Sequence, residues 1–544
     1  MHACLRVPDI LHLIIGFLED ESSRNRGYSF ISHKDVARLA RTCKAFMDPA
    51  LDALWRTQSS LSPLVMCLPS HLWMRGNRSR NAAVRWLRLG TLRRDAREKD
   101  KVVSLTMKPP PSLEDWFTLK RYSRRIQRFH FPALRLPGVC SNTLDTIFQP
   151  GLFPELFPSL RTLNFDVFNR EKFYAQPISL LTPMRLPHLV HLGFTVSEHL
   201  QRQDPNEILH LPPTCAPSIR SLVINVTYGG AKQIATPVNL AMNFRGFPYL
   251  RVLTLSRDLD ISSSDMHELI RLQYLWKLTV TLPNDFDIKD HTSMEPILPS
   301  LGYLDIYVDS LNQGTKLLSS TPSSELGCVK IQHHLPASQS DIYALFLEIR
   351  RIYKRFPYFD TLVVEWASWT SPITDPSFDL PQSALEPLLA CRRLRVFDLI
   401  SWGKLDVDDA FITQIARAWP TIETFHLRGL QRKISRATLG GLRELLRRCP
   451  QLLSLSIEVD ARVLPEEEPE METRSLQMLC ITTFGVSSGH PAEKYLRILA
   501  PKAQVVELRS VRSDSDWPGP GPEMFFVNYF SYISWDRCPR RSIS

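Results

Sequence analysis

The chain has 544 residues, 66 Lys and Arg against 56 Asp and Glu, a net charge of +10, and 44% hydrophobic with 22% charged residues. Those proportions belong to a folded globular protein and exclude wholesale disorder. At roughly 150 residues per domain the length asks for three or four domains or for one repeat array.

Residues 5–56 open the chain. Ile10, Leu11, Ile14, Phe17 and Leu18 fall at helical spacing after Pro8-Asp9, a proline suited to a first helical turn followed by an acid that favours the helix dipole. The apolar run 10–18 is nine residues, far short of the ~20 that cross a bilayer. Only Arg6 is basic before it, Glu19, Asp20 and Glu21 follow it, and no small-residue cleavage site appears, so neither a membrane span nor secretion is expected. Val36, Leu39, Ala40 and Cys43, then Leu51, Leu54 and Trp55, complete three short amphipathic helices. So few helical residues enclose little core and call for a partner. The ten cysteines stand singly with no C-x-x-C pair, which removes the usual zinc and redox signatures. Buried thiols of a reducing compartment are expected, hence cytoplasm or nucleus.

Residues 61–119 read as a basic connecting region. Between 75 and 128 lie sixteen Lys or Arg and five Asp or Glu, a local charge of +11, with Arg93, Arg94, Arg124 and Arg125 among them and Trp73, Trp86 and Trp116 interleaved. One reading is a nucleic-acid or acidic-lipid binder that uses this stretch. The favoured reading is a connector whose Trp and Leu pack on the structure that follows, with no nucleic-acid and no membrane partner.

From residue 120 to 510 the chain repeats itself. FPSLRTLNF, LPHLVHLGF, APSIRSLVI, FPYLRVLTL, LPSLGYLDI, FPYFDTLVV, WPTIETFHL and CPQLLSLSI share the frame P-x-Φ-x-x-Φ-x-Φ, where Φ is apolar. Fourteen copies begin their first Φ at Ile126, Leu160, Leu189, Ile219, Leu250, Leu275, Leu301, Leu326, Phe359, Leu394, Ile422, Leu452, Leu476 and Ala503, a mean spacing of 29 residues. Proline stands two residues before the first Φ in nine copies, where it stops a preceding helix and is tolerated at a strand start. The last two Φ alternate with other residues, the period of a strand with one buried face. Between frames the period becomes helical: Ile342, Leu345, Phe346, Ile349, Ile352 and Tyr353, and again Leu439, Leu442, Leu445 and Leu446. One strand and one helix per copy bury their apolar sides only by stacking on neighbours; an ordinary doubly wound sheet is the competing architecture. The acidic PEEEPEMET at 465–473 reads as an inserted loop. In 511–544, Phe525, Phe526, Tyr529, Tyr532 and Ile533 read as a cap or tail.

This pattern resembles the leucine-rich repeat, whose usual Asn or Cys after the third Φ is here replaced by Phe168, Ser197, Asp258, Ala367, Trp402 and Asp460. The resemblance implies an α/β solenoid, parallel strand plus helix per repeat, in an irregular arc, preceded by a small all-α module. Residues 1–60, with P-x-I-L-x-x-I-x-x-x-L, L-A-x-x-C-K-x-F and L-W, resemble an F-box of the fungal kind; a helical cap for the solenoid is the alternative. What the F-box resemblance implies is contact with a Skp-type adaptor, and through it a cullin, at Pro8, Ile10, Leu11, Ile14 and Leu18, with Leu39, Cys43, Phe46 and Trp55 completing the module. The expected function is substrate recognition in a Skp-cullin-F-box type ubiquitin ligase.

No hydrolase, P-loop or dinucleotide motif is present, so no catalytic residue, metal or cofactor is expected. A protein substrate is expected on the strand face opposite the Φ residues, at Tyr303, Asp305, Tyr307, Lys330, Glu365, Asp398, His426, Arg428 and Glu458, with Glu507 and Arg509 further along. Fourteen strands at ~4.8 Å each would offer a face roughly 65 Å long. The competing reading is that this row is solvated strand surface and that the binding site lies on loops or the C-terminal cap.

Overall fold

The computed structural model describes residues 10–11, 13–15, 33–77, 103–107, 111–131, 147, 149, 152–167, 186–197, 216–227, 238–240, 244–257, 259–286, 297–323, 325–366, 375–401, 403–429, 435–462, 464–465, 475–484, 490–503 and 505–511. The inserted acidic loop at 466–473, the C-terminal segment 512–544 and most of the basic stretch lie outside them. The chain divides into two compact units, 1–299 and 300–544.

The first unit begins with helical residues 10, 11 and 13–15 and the helices His33–Ala40 and Lys44–Arg56. Their buried core is Ile15, Val36, Ala50 and Ala53, with Leu39, Ala40 and Leu54 packed around it. Arg56 runs straight into strand β1 (Thr57–Gln58). Helix Ser62–Val65 and an antiparallel pair, β2 (Trp73–Asn77) and β3 (Val103–Met107), follow. Helix Leu113–Ser123 starts at a reciprocal cap in which the Ser112 hydroxyl accepts from the Asp115 N–H and the Asp115 carboxylate accepts from the Ser112 N–H. Then come β4 (Arg128–Phe131), β5 (Thr162–Val167), β6 (His191–Ser197), β7 (Ser221–Thr227), β8 (Val238–Leu240), β9 (Val252–Leu255), β10 (Leu259–Ile261) and β11 (Lys277–Thr281). Strands β1, β4, β5, β6, β7, β9 and β11 lie side by side in that order, all parallel.

The second unit carries β12 (Tyr303–Val308), β13 (Cys328–His333), β14 (Thr361–Trp366), β15 (Leu380–Pro381), β16 (Val396–Ser401), β17 (Leu405–Asp406), β18 (Thr424–Gly429), β19 (Ser454–Glu458), β20 (Met478–Phe484) and β21 (Val505–Val511). All but β15 and β17, which pair with each other, form one parallel ladder in chain order. A parallel pair cannot close through a hairpin, so the chain must cross back after each strand. Helices Leu311–Ser320, Gln339–Arg355, Asp409–Ala418, Leu439–Arg448 and Pro491–Leu499 make those returns, each with a buried apolar stripe.

The fold is therefore an α/β strand-and-helix solenoid of the leucine-rich-repeat type. All fourteen sequence frames became ladder strands, and thirteen of their first apolar residues are at most 2% exposed. Strand β1 is an addition: a two-residue strand carries no readable period, and its pairing with β4 is set by tertiary contact.

Candidate functional site

The outward strand face of the second unit is built from alternation. In β12, Leu304, Ile306 and Val308 point inward and are buried, which turns Tyr303, Asp305 and Tyr307 to the other side, where they are half-buried. In-register pairing then fixes rows across the ladder: Asp305 stands beside Lys330, Lys330 beside Val363, Val363 beside Asp398, and Asp398 beside His426. The Tyr307 row continues through Gln332 to Glu365.

These neighbours pair electrostatically. Lys330 Nζ lies 3.5 Å from Glu365 Oε2. Burial works against the Lys330 charge, but Glu365, Asp305 and Tyr307 outweigh it and hold the ammonium above its ordinary range. Burial pushes the Glu365 carboxyl up, because Lys330 and Arg428 offset only part of the desolvation and Asp398 adds repulsion. Asp398 is fully buried; burial would raise it, yet Arg428 and His426 outweigh that and hold it below the usual carboxylate range. His426 Nδ1 donates to the Asp398 Oδ2 carboxylate oxygen at 2.8 Å, and its Nε2 is hydrogen-bonded to the Ser454 hydroxyl, also at 2.8 Å. Arg428 Nη2 donates to Asp398 Oδ1 at 3.1 Å.

Ser454, His426 and Asp398 thus have the hydrogen-bond order of a nucleophile, base and orienting acid. Their burial assigns them another task. Ser454 is 2% and His426 3% exposed, so the hydroxyl has no open side from which to attack a carbonyl, and Arg428 already shares the acid. The chain of bonds satisfies polar groups packed between strands.

This corrects the expectation that the whole row meets a substrate. Asp398 and His426 are buried and hold one another, and Glu458 is buried; Tyr303, Asp305, Tyr307, Lys330, Glu365 and Arg428 are half-buried. Alternation told which face each residue occupies, but not how deeply neighbouring rows would cover it. Glu458 is 6% exposed, Oε2 has no hydrogen-bond partner, and burial raises its pKa to about 8, against weaker lowering by the Gly429 N–H and Lys404. The side chains of Glu507 and Arg509 lie outside the description.

At the N-terminus, Pro8 and Leu18 lie outside the described residues. Ile10 and Ile14 are half-buried, whereas Leu11 is 4% exposed. Leu13, not singled out by the sequence pattern, is 64% exposed on the same helix. Leu13 lies at i+3 from Ile10 and beside Ile14, and this second apolar stripe was the signal available to find it. Leu39, Cys43 and Phe46 are half-buried. Trp55 is half-buried and packs on Tyr122, ring centroids 5.2 Å apart, which makes it a joint to helix Leu113–Ser123.

The basic stretch is corrected in one residue. Arg125, 9% exposed at its side chain, is inside a joint: Nη2 pairs with Asp48 Oδ1 at 2.6 Å, Nη1 donates to the Asp48 carbonyl and pairs with Asp52. Arg125 fastens helix Lys44–Arg56 to the start of the repeats and is not available to a polyanion. Among the described residues no helix is long and apolar enough to cross a membrane, and no group of His, Cys, Asp or Glu could hold a metal ion. Cys328, Cys391, Cys449 and Cys480 are buried, and burial pushes the thiols of Cys391 and Cys449 up to about 12.

No protein-family model matches the chain, and no curated protein does. Among solved structures, a chain of the yeast Rad7 and Elc1 complex is similar over 68% of this chain and 77% of its own, at 14% identity and a TM-score of 0.30. A likeness of that size adds nothing to the reading of the site.

Proposed function

We propose that the chain is the substrate-recognition subunit of a Skp-cullin-F-box type ubiquitin ligase. In this reading the N-terminal helices dock a Skp-type adaptor and, through it, a cullin, while the half-buried outward face of the second unit takes a protein substrate. The chain itself catalyses nothing and needs no cofactor. The observation that carries the proposal is the exposed apolar stripe of the N-terminal module: Leu13 stands exposed beside half-buried Ile10 and Ile14, while among the described residues of the module the buried ones are Leu11, Ile15, Val36 and two alanines, Ala50 and Ala53. A module with so little core gains from covering that stripe. The substrate half rests on a strand face of mixed charge with two tyrosines, Tyr303 and Tyr307, a residue type enriched at binding hot spots.

Copurification of the full chain with a recombinant Skp-type adaptor tests the first half. Truncating central anchors costs about 2 kcal/mol or more, roughly 25-fold in affinity, so Ile10→Ala, Leu13→Ala and Ile14→Ala together should abolish copurification. Undiminished binding by the folded triple variant refutes the assignment. Tyr303→Ala with Tyr307→Ala should keep the adaptor and lose a crosslinked substrate; retention of the substrate moves its site elsewhere.

A further inference from the structure

The residue immediately before each ladder strand donates its backbone N–H to the corresponding residue of the previous repeat, and this lines the pre-strand residues up along one edge. In the first unit the row reads Gln127, Arg161, Val190, Arg220, Arg251 and Trp276. The turns that lead into these strands, residues 157–161, 186–190, 216–220, 247–251 and 272–277, contain no Asp or Glu. In the second unit the same row reads Gly302, Gly327, Asp360, Arg395, Glu423, Leu453 and Gln477, and its Arg395 is bonded to Glu423 at 3.1 Å. One fold position is therefore basic in one unit and slightly acidic in the other, so the repeat architecture alone does not demand the arginines.

Arg161 and Arg220 are exposed, Arg251 is half-buried, and none of the three forms an ion pair with another described residue. Gln127, Arg161, His188, Val190 and Arg220 line an open cleft of about 470 Å³ on this edge. Beyond it, at the second turn position, Tyr249 and Tyr274 are 58% and 51% exposed, with ring centroids 6.4 Å apart. Strand spacing places Arg251 one strand from Arg220 and three from Arg161, about 14 Å along the edge.

We propose that this edge of the first unit is a track for single-stranded nucleic acid, with phosphates on Arg161, Arg220 and Arg251 and bases stacked on Tyr249 and Tyr274. A strip of cations without ion pairs among the described residues suits any polyanion. Exposed aromatic faces at the end of the strip suit bases, since every base offers a face to stack on, whereas an acidic peptide gains nothing from them. The arginines and tyrosines of the track lie outside residues 75–128 in the sequence, and the track is independent of the adaptor reading.

Fluorescence anisotropy of the full chain with labelled 12-mers of oligo-U and oligo-dT, titrated from 50 to 300 mM salt, tests the proposal, the two sugars distinguishing RNA from DNA. Changing Arg161, Arg220 and Arg251 together to Ser should weaken binding at least tenfold and reduce the slope of log affinity against log salt by about 2, since each phosphate contact on a single strand contributes about 0.7. The same positions changed to Lys should keep the slope. Tyr249→Ser with Tyr274→Ser should weaken binding about tenfold or more with the slope unchanged. All these positions are solvent-facing or half-buried, and an unchanged melting temperature verifies the variants. Binding that survives the triple Ser change overturns the proposal and moves the polyanion site elsewhere. So does a labelled poly-Glu peptide that binds as tightly through the same arginines while the tyrosine variant loses no oligonucleotide affinity; the edge is then a site for acidic peptides.

Discussion

Glu458 carries a pH signature that a single substitution can isolate. Its folded pKa of about 8 lies above the ordinary carboxylate value because burial penalises the charge. The folded state then binds the proton more tightly than the unfolded chain, so this stabilisation is full below the unfolded pKa and is lost as pH rises through about 8. The slope is at most about 1.4 kcal/mol per pH unit. Glu458→Gln should flatten it, and urea midpoints of both proteins at pH 6 and 8.5 should therefore differ less in the variant. Arg125 gives a second residue-scale test. Arg125→Ser removes both ion pairs, and because Asp48 and Asp52 stay solvated the loss should be about 1 kcal/mol. Earlier proteolysis of helix Lys44–Arg56 than in the wild type would show it; unchanged protection would deny the joint its role.

At the scale of elements, local rules account for much of what forms. Helix Gln339–Arg355 starts where Ser338 accepts from the Asp341 N–H and Asp341 accepts from the Ser338 N–H. Asp341 opens the first turn, Lys354 and Arg355 close the last, and Ile342, Leu345, Phe346, Ile349 and Ile352 bury one stripe. Ser338→Ala should cost about 1 kcal/mol, measured as a lower urea midpoint; no change would mean that packing alone fixes the start. The five buried residues of that helix were legible as a period in the sequence, as were Leu439, Leu442, Leu445 and Leu446. Burial of Leu11 was not: residues 10–18 carry apolar side chains on nearly every side of a helix, so spacing alone cannot say which side turns inward. Nor was the ring of bonds from Arg428 through Asp398 and His426 to Ser454, which joins residues 28 to 30 positions apart through strand register.

For the whole molecule, a solenoid's stability is a sum over neighbours, so damage stays near its source. Phe425 stacks on Phe397 with centroids 5.8 Å apart and packs on Trp419 at 6.1 Å, all three buried in the second unit. Phe425→Ala should cost about 3–5 kcal/mol. Hydrogen exchange should accelerate in strands β16, β18 and β19 while β4 to β7 keep their protection; equal loss in both sets would mean that the chain melts as one cooperative body. The division at 299 and 300 was not readable from the frames, because the repeat period passes through that point without interruption. The charge contrast between the two pre-strand rows was present in the sequence, yet it becomes visible only once register brings residues some thirty positions apart to one edge.

Thr57 pairs with Arg128, and Gln127 donates to the Arg56 carbonyl at 3.0 Å, so the N-terminal helices enter the ladder without one slack residue. Within the first unit, helix Lys44–Arg56 and the ladder therefore turn together as one piece. A few flexible residues inserted between Arg56 and Thr57 would leave both folded and let the helix swing free of the ladder.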